Sequence, residues 1–187
     1  MDKKNKDLLL VIDYQNVYLP EHDWACPTMP QAVGNTRNLL DSDKIGSVLF
    51  TQFLAAQKPQ GTWNAYAQEY RSINEDPYLC AIEGSLMPYL QKYPVAVKST
   101  YSSMKCPQVL EEAGKADAVV LTGVVAECCI VATLMDSIDL GFKTIYLYDC
   151  ISGQNPENEE PIRKLAESFA PMHTLVMDSK EYLRSRT

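Results

Sequence analysis

Reactive side chains stand at the ends of three short apolar runs that lie far apart in the chain. Leu8-Leu-Leu-Val-Ile12 ends at Asp13, Val95-Ala-Val97 ends at Lys98, and Ala118-Val-Val-Leu121 leads through a turn to Cys128 and Cys129. A carboxylate, an ammonium and a thiol are the parts of a nucleophilic acyl-transfer site. The sulfur attacks a carbonyl, the carboxylate moves its proton, and the cation steadies the negative charge. The cysteine pair opens an expected helix over 128–141. A thiol there faces the positive end of the helix dipole and unpaired amides, which favour a thiolate and can receive an oxyanion. Adjacent helical residues diverge by about 100°, so only one of the pair is expected to face such a site. On placement alone, a small buried hydrophobe is an equal reading of either cysteine.

These groups meet only if their runs are neighbouring strands. Six apolar runs are continuous rather than alternating: 8–12, 47–50, 95–97, 118–121, 144–147 and 174–176. That pattern suits strands covered on both faces. Helix-length segments fall between and after them, at 30–42, 63–72, 83–92, 107–114, 128–141 and 158–169, with Gly114 and Gly141 at two expected C-caps. The alternation predicts a three-layer α/β/α, Rossmann-like fold with a parallel sheet of about six strands and ligands beyond the strands' carboxyl ends. Residues 1–187 read as one domain, without repeat or linker. Pro20–Pro30 and Gln57–Thr62 are the stretches expected to rim a pocket.

Composition narrows the function. The chain has 187 residues, 46% hydrophobic and 22% charged, with a net charge of -7. This is globular, and its charge repels a nucleic-acid backbone. The Lys3-Lys4-Asn5-Lys6 run is expected to solvate the terminus. No segment resembles a signal peptide or approaches the roughly 20 apolar residues of a membrane span, so a cytoplasmic protein without membrane association is expected. The six cysteines show no CxxC or zinc spacing, and reduced thiols are expected.

The segment Leu121-Thr-Gly-Val-Val-Ala-Glu-Cys-Cys-Ile-Val-Ala-Thr133 resembles the nucleophile motif of isochorismatase-like cysteine hydrolases. In that register the nucleophile falls on Cys129, the acidic position on Glu127 and the threonine on Thr133, while Ala126 replaces a commoner threonine. Asp13-Tyr-Gln-Asn16 resembles the family's first strand end, and Val97-Lys-Ser-Thr-Tyr-Ser102 its lysine segment. Tyr146-Leu-Tyr-Asp-Cys150 matches a further strand ending in an acid. The matches run in family order over about residues 7 to 177.

The resemblance implies a Cys129 nucleophile, Asp13 as acid and base, and Lys98 as electrostatic partner. It also implies a non-proline cis peptide at Val125-Ala126, aiming amides of Val125, Ala126 and Cys129 at an oxyanion. The implied reaction is hydrolysis of a small amide, ureido or related carbonyl C–N bond through an acyl-enzyme. Isochorismatase itself cleaves a vinyl ether without the cysteine, so Cys129 points away from that reaction. Nicotinamidases of the superfamily carry histidines near the second strand; Thr51-Gln-Phe-Leu-Ala-Ala-Gln-Lys58 has none, and neither metal nor cofactor is implied. A homo-oligomer, dimer or tetramer, is expected from the family, with a small molecule as substrate.

Gln52, Trp63 and Tyr101 are candidate substrate contacts; Tyr18 and Phe53 serve equally as pocket wall or core. Asp149 reads as a supporting or turn-forming acid. The rival functions are a small-molecule binding protein that keeps the fold without turnover and a redox role for the adjacent cysteines, whose disulfide would be strained.

Overall fold

The computed structural model describes residues 5–186, so Lys3 and Lys4 of the basic run lie outside it. All six apolar runs form strands: β1 (Leu8–Ile12), β2 (Ser47–Phe53), β3 (Val95–Lys98), β4 (Val119–Val124), β5 (Thr144–Ser152) and β6 (Thr174–Met177). They pair in parallel in the order β3-β2-β1-β4-β5-β6. Strands β2, β4 and β5 run past their apolar cores into polar residues. Thr51 lies opposite Ile12, and Gly123 opposite Ile12 on the other side.

Side chains alternate across this sheet, as the strand pleat demands. Leu9, Val11, Val48, Phe50, Val120 and Ile145 share one buried cluster with residues of α1 (Met29–Leu40). Tyr182 of the C-terminal helix Ser179–Ser185 joins it. Leu8, Leu10, Ile12, Leu49, Val119 and Leu121 share the opposite cluster with Val109, Leu134 and Ala166. Both faces are therefore covered by helices, giving three α/β/α layers.

The remaining helices are α2 (Trp63–Glu69), α3 (Arg71–Asn74), α4 (Pro77–Cys80), α5 (Met87–Leu90), α6 (Pro107–Ala113), α7 (Val131–Asp139), α8 (Pro156–Ser168) and α9 (Ser179–Ser185). The expected helix 63–72 breaks at Tyr70 (φ -102°, ψ 29°) into α2 and α3. The expected helix 83–92 is a 3-10 turn followed by the short α5, with Pro88 at the start of α5, where its missing amide donor is tolerated. Short α4 and α9 are unexpected elements. Each starts at an aspartate whose carboxylate accepts a backbone amide, Asp76 from Tyr78 and Leu79, and Asp178 from Glu181. Gly141 ends α7 at φ 82°, a left-handed value that glycine adopts freely; Gly114 caps α6 in ordinary helical geometry.

Asp149 serves the frame rather than the chemistry. Its carboxylate accepts from the Ser179 amide (2.8 Å) and hydroxyl (2.6 Å), joining β5 to α9. The strand order sets the site. From the adjacent β1 and β4 at the centre, the chain builds outward in opposite directions, which opens a crevice beyond their carboxyl ends.

Candidate active site

Asp13 follows β1 with φ 52°, a left-handed conformation uncommon for a non-glycine residue. Its carboxylate is fully buried and accepts a 2.7 Å hydrogen bond from Thr51 on β2. Lys98 ends β3, two strands from β1, and its side chain reaches back across β2. Its ammonium stands 2.5 Å from Asp13 Oδ2 and 3.4 Å from Cys129 Sγ. It also donates to the carbonyls of Thr100 (3.1 Å) and Tyr101 (2.9 Å), and lies 5.5 Å from the centre of the Phe53 ring. Asp13 after β1, Lys98 at the end of β3 and Cys129 in the turn after β4 thus form one buried cluster.

The turn that delivers Cys129 begins earlier than expected. A π-helical turn spans Ala126–Ile130 and flows into α7. The amides of Cys128 and Ile130 both donate to the Val125 carbonyl, at 3.0 and 3.1 Å. The cis peptide lies at Val124-Val125, one residue before the expected Val125-Ala126. The correction follows from β4, which stays paired through Val124, so the chain leaves the sheet there and Val125 already belongs to the turn.

Electrostatics at this site differ from a simple helix-start thiol. Burial and then the Asp13 carboxylate push the Cys129 thiol well above the ordinary range, and Lys98 only partly opposes them. Burial pulls the Lys98 ammonium down, but Asp13 and Cys129 more than offset this and hold it above its usual value. Beside the Asp13–Lys98 ion pair, the Cys129 thiol is therefore held towards its protonated form. This runs against the expected shift towards thiolate: desolvation first, then the nearby carboxylate, raise the thiol.

A cavity of about 490 Å³ opens above Cys129, within the range typical of small-molecule sites. Tyr101 lines it, as do Tyr18 from the 3-10 turn Asn16–Tyr18, Trp24 from the 20–30 loop region, and Tyr66 and Tyr70 from α2 and its end. Trp63 sits one ring behind, 5.2 Å from Tyr66 and 4.9 Å from Tyr101, and lines a neighbouring cavity of about 240 Å³ instead. Gln52 is displaced from the site. Thr51 turns towards Asp13, so the next residue turns to the other face, and the Gln52 amide donates to the Cys80 carbonyl at 2.8 Å. Cys128 also lines the cavity despite its adjacency to Cys129, but only the latter touches Lys98.

An isochorismatase domain model matches residues 7–177. The chain belongs to the isochorismatase family of hydrolases. No curated protein matches it. Among solved structures, a cysteine hydrolase from Pseudomonas syringae pv. phaseolicola is similar at TM-score 0.81 and 17% identity, over 96% of this chain and 91% of that one. N-carbamoylsarcosine amidase from Thermoplasma acidophilum is similar at 0.72 and 18%, over 93% and 96%. A pyrazinamidase/nicotinamidase from Streptococcus mutans is similar at 0.71 and 16%, over 91% and 99%. At these identities the likeness is one of fold.

In this isochorismatase-family chain, several motif residues hold the frame rather than meet the cavity. Gln15 brackets the end of β2, accepting from the Phe53 amide (2.9 Å) and donating to the Phe53 and Cys80 carbonyls. Asn16 donates to the Tyr78 carbonyl at 2.9 Å. Thr133 donates to the Cys129 carbonyl (2.7 Å) and accepts from the Ser103 amide (2.9 Å). Glu127 accepts from the Asn155 amide and the Asn158 side chain, tying the Cys129 turn to the start of α8. Among the described residues, no group of three or more His, Cys, Asp or Glu side chains could hold a metal ion.

Sequence reading missed Trp24, Tyr66, Tyr70, Asp23 and Glu69 of the cavity wall. The one signal for them was the loop-like Pro20–Pro30, which carries Asp23 and Trp24. The α2–α3 break at Tyr70 has no local marker.

Proposed function

We propose that this chain is a cysteine amidase that hydrolyses a small amide, ureido or related carbonyl C–N bond through a Cys129 acyl-enzyme. The observation that carries the reading is the Asp13–Lys98–Cys129 cluster, with the sulfur at the floor of a cavity. The similarity to an N-carbamoylsarcosine amidase and a pyrazinamidase/nicotinamidase agrees with it.

Asp13 takes the thiol proton as sulfur attacks the carbonyl carbon, while the fixed Lys98 charge compensates the new negative charge. The amides of Ala126 and Cys129, with Val125 at the head of the turn, receive the oxyanion; those of Cys128 and Ile130 are already engaged. Collapse of the adduct breaks the C–N bond, and Asp13 returns its proton to the leaving nitrogen. Water then attacks the thioester with Asp13 as base, releasing the acid and restoring the thiol.

The test is a panel of small amides and ureido compounds, read by ammonia release and by whole-protein mass during turnover. An acyl adduct on Cys129, and turnover abolished in Cys129→Ala, are the expected results. A metabolite that binds tightly to the chain with no turnover of any compound would replace the amidase with a binding protein.

A further inference from the structure

The cavity above Cys129 has an unusual wall. Three rings meet at steep angles at one side: Trp24 lies 5.2 Å from Tyr70 at 79°, and Tyr66 lies 4.9 Å from Tyr70 at 58°. Tyr18 extends the wall beside Trp24 (5.9 Å). Rings set at such angles enclose a corner with their π faces and edges instead of stacking into a solid layer.

The charges on this wall have one sign. The acidic side chains of the lining are Asp23 and Glu69, both exposed, and no Lys, Arg or His lines the cavity. Neither acid has an ion-pair partner among the described residues, while the neighbouring Arg71 is held by Glu75 at 3.2 Å. Lys98 lies beneath the floor and is occupied by Asp13 and two carbonyls. Burial raises the phenols of Tyr66 and Tyr101, so they remain neutral and present their rings. A neutral aromatic corner beside two unneutralised carboxylates attracts a cation through ring quadrupole and Coulomb field alike, and repels an anion.

We propose that the substrate of this site carries a cationic ammonium or quaternary ammonium group, seated in the Trp24–Tyr66–Tyr70 corner under Asp23 and Glu69, with its scissile carbonyl at Cys129. This inference rests on the amidase reading for the bond that is cleaved, and on the cavity alone for the group that is recognised. The volume admits both ends of one small molecule at once.

The experiment compares three butanamides that differ only at the far carbon, which bears trimethylammonium, tert-butyl or carboxylate. The trimethylammonium compound is expected to exceed its tert-butyl isostere in kcat/KM by roughly tenfold or more, with the carboxylate slowest. The ratio should shrink towards one in Trp24→Leu, which keeps apolar bulk without the indole face, and in the Asp23→Asn, Glu69→Gln double variant. Equal rates for charged and neutral compounds, or a faster carboxylate, overturn the inference while leaving the amidase intact. In parallel, tetramethylammonium is titrated into the wild-type chain at constant ionic strength against sodium, reading tryptophan fluorescence. Saturable quenching that weakens in the Asp23→Asn, Glu69→Gln double variant, which keeps the Trp24 reporter, supports the cation site even if none of the amides turns over, in which case only the amidase reading fails. No saturable response, together with no rate preference, overturns the cation site.

Discussion

The Asp13 carboxylate and the Lys98 ammonium meet at 2.5 Å with side chains 0% and 2% exposed, so each is the other's chief compensation for leaving water. The Cys129 sulfur, 3.4 Å from that ammonium, is pulled in opposite directions by the pair. Replacing Asp13 by Asn removes a charge that raises the thiol pKa, so the pH midpoint for Cys129 alkylation should fall below that of the wild type. Replacing Lys98 by Met removes the opposing cation and should move the midpoint up. Both variants should lose turnover by roughly 10²–10⁴-fold, since Asn cannot accept the proton and Met cannot hold the anion. Iodoacetamide labelling of the Cys129 peptide against pH measures the shifts. Midpoints that move in the same direction in both variants would refute this account of the cluster.

Alkaline pH should destabilise the fold. Burial raises the thiols of Cys26, Cys129 and Cys150 above their ordinary values. A raised folded pKa means that the unfolded chain loses its protons first. The stabilisation is therefore complete below the unfolded thiol pKa of about 8.5 and is lost as pH rises beyond it. Each such thiol should lower the unfolding free energy by about 1.4 kcal/mol per pH unit in the window above about 9. Urea unfolding between pH 8 and roughly 10 measures the slope, and Cys26→Ala should make it shallower. A flat profile would mean that these thiols titrate alike in both states.

Gly123 is a backbone requirement of the site. A Cβ there would lie 2.1 Å from the Ile12 carbonyl oxygen, and its φ is 126°. Because Gly123 pairs with Ile12 one residue before Asp13, Gly123→Ala should push β4 away from β1 and carry Asp13 with it. We expect a loss of about 3 kcal/mol or more, with turnover falling further than stability alone explains. Circular dichroism with urea titration separates an unfolded variant from a folded one with a displaced site. A folded, fully active Gly123→Ala chain would contradict the close approach.

Much of this arrangement was legible in the sequence, for physical reasons that differ by element. The six strands were readable because a sheet covered on both faces requires unbroken apolar runs, as in Leu8–Ile12 and Val119–Leu121. Asp13, Lys98 and Cys129 were readable as strand-end residues of a recognisable motif. The upward shift of the Cys129 thiol was not, because it depends on burial in the folded chain and on a carboxylate 116 positions away in sequence rather than on the local helix start. Gln52 was misplaced because the polar run Thr51-Gln52 does not say which of its residues faces the crevice; only the pairing with β1 does. The aromatic corner was invisible for a related reason. Trp24 and Tyr70 come from loops and short helices whose approach depends on the break at Tyr70, and no periodicity encodes that break.

Thr133 links the two halves of the cluster from beneath. Its hydroxyl donates to the Cys129 carbonyl and accepts the Ser103 amide, so one buried atom joins the Cys129 turn to the loop whose Thr100 and Tyr101 carbonyls hold Lys98. Thr133→Val keeps the shape and removes both bonds, leaving the buried Ser103 amide without that partner, at a cost of about 1–3 kcal/mol. Beyond stability, the loop should loosen around Lys98. The expected signature is a lower kcat with little change in KM, and a Cys129 alkylation midpoint moved upwards as the ammonium withdraws. Thr133→Ser retains the hydroxyl and should restore both kcat and the midpoint, which a purely volumetric role for the threonine methyl would not allow. Valine behaving like the wild type in kcat and in the alkylation profile would show that the two loops are held together by other contacts.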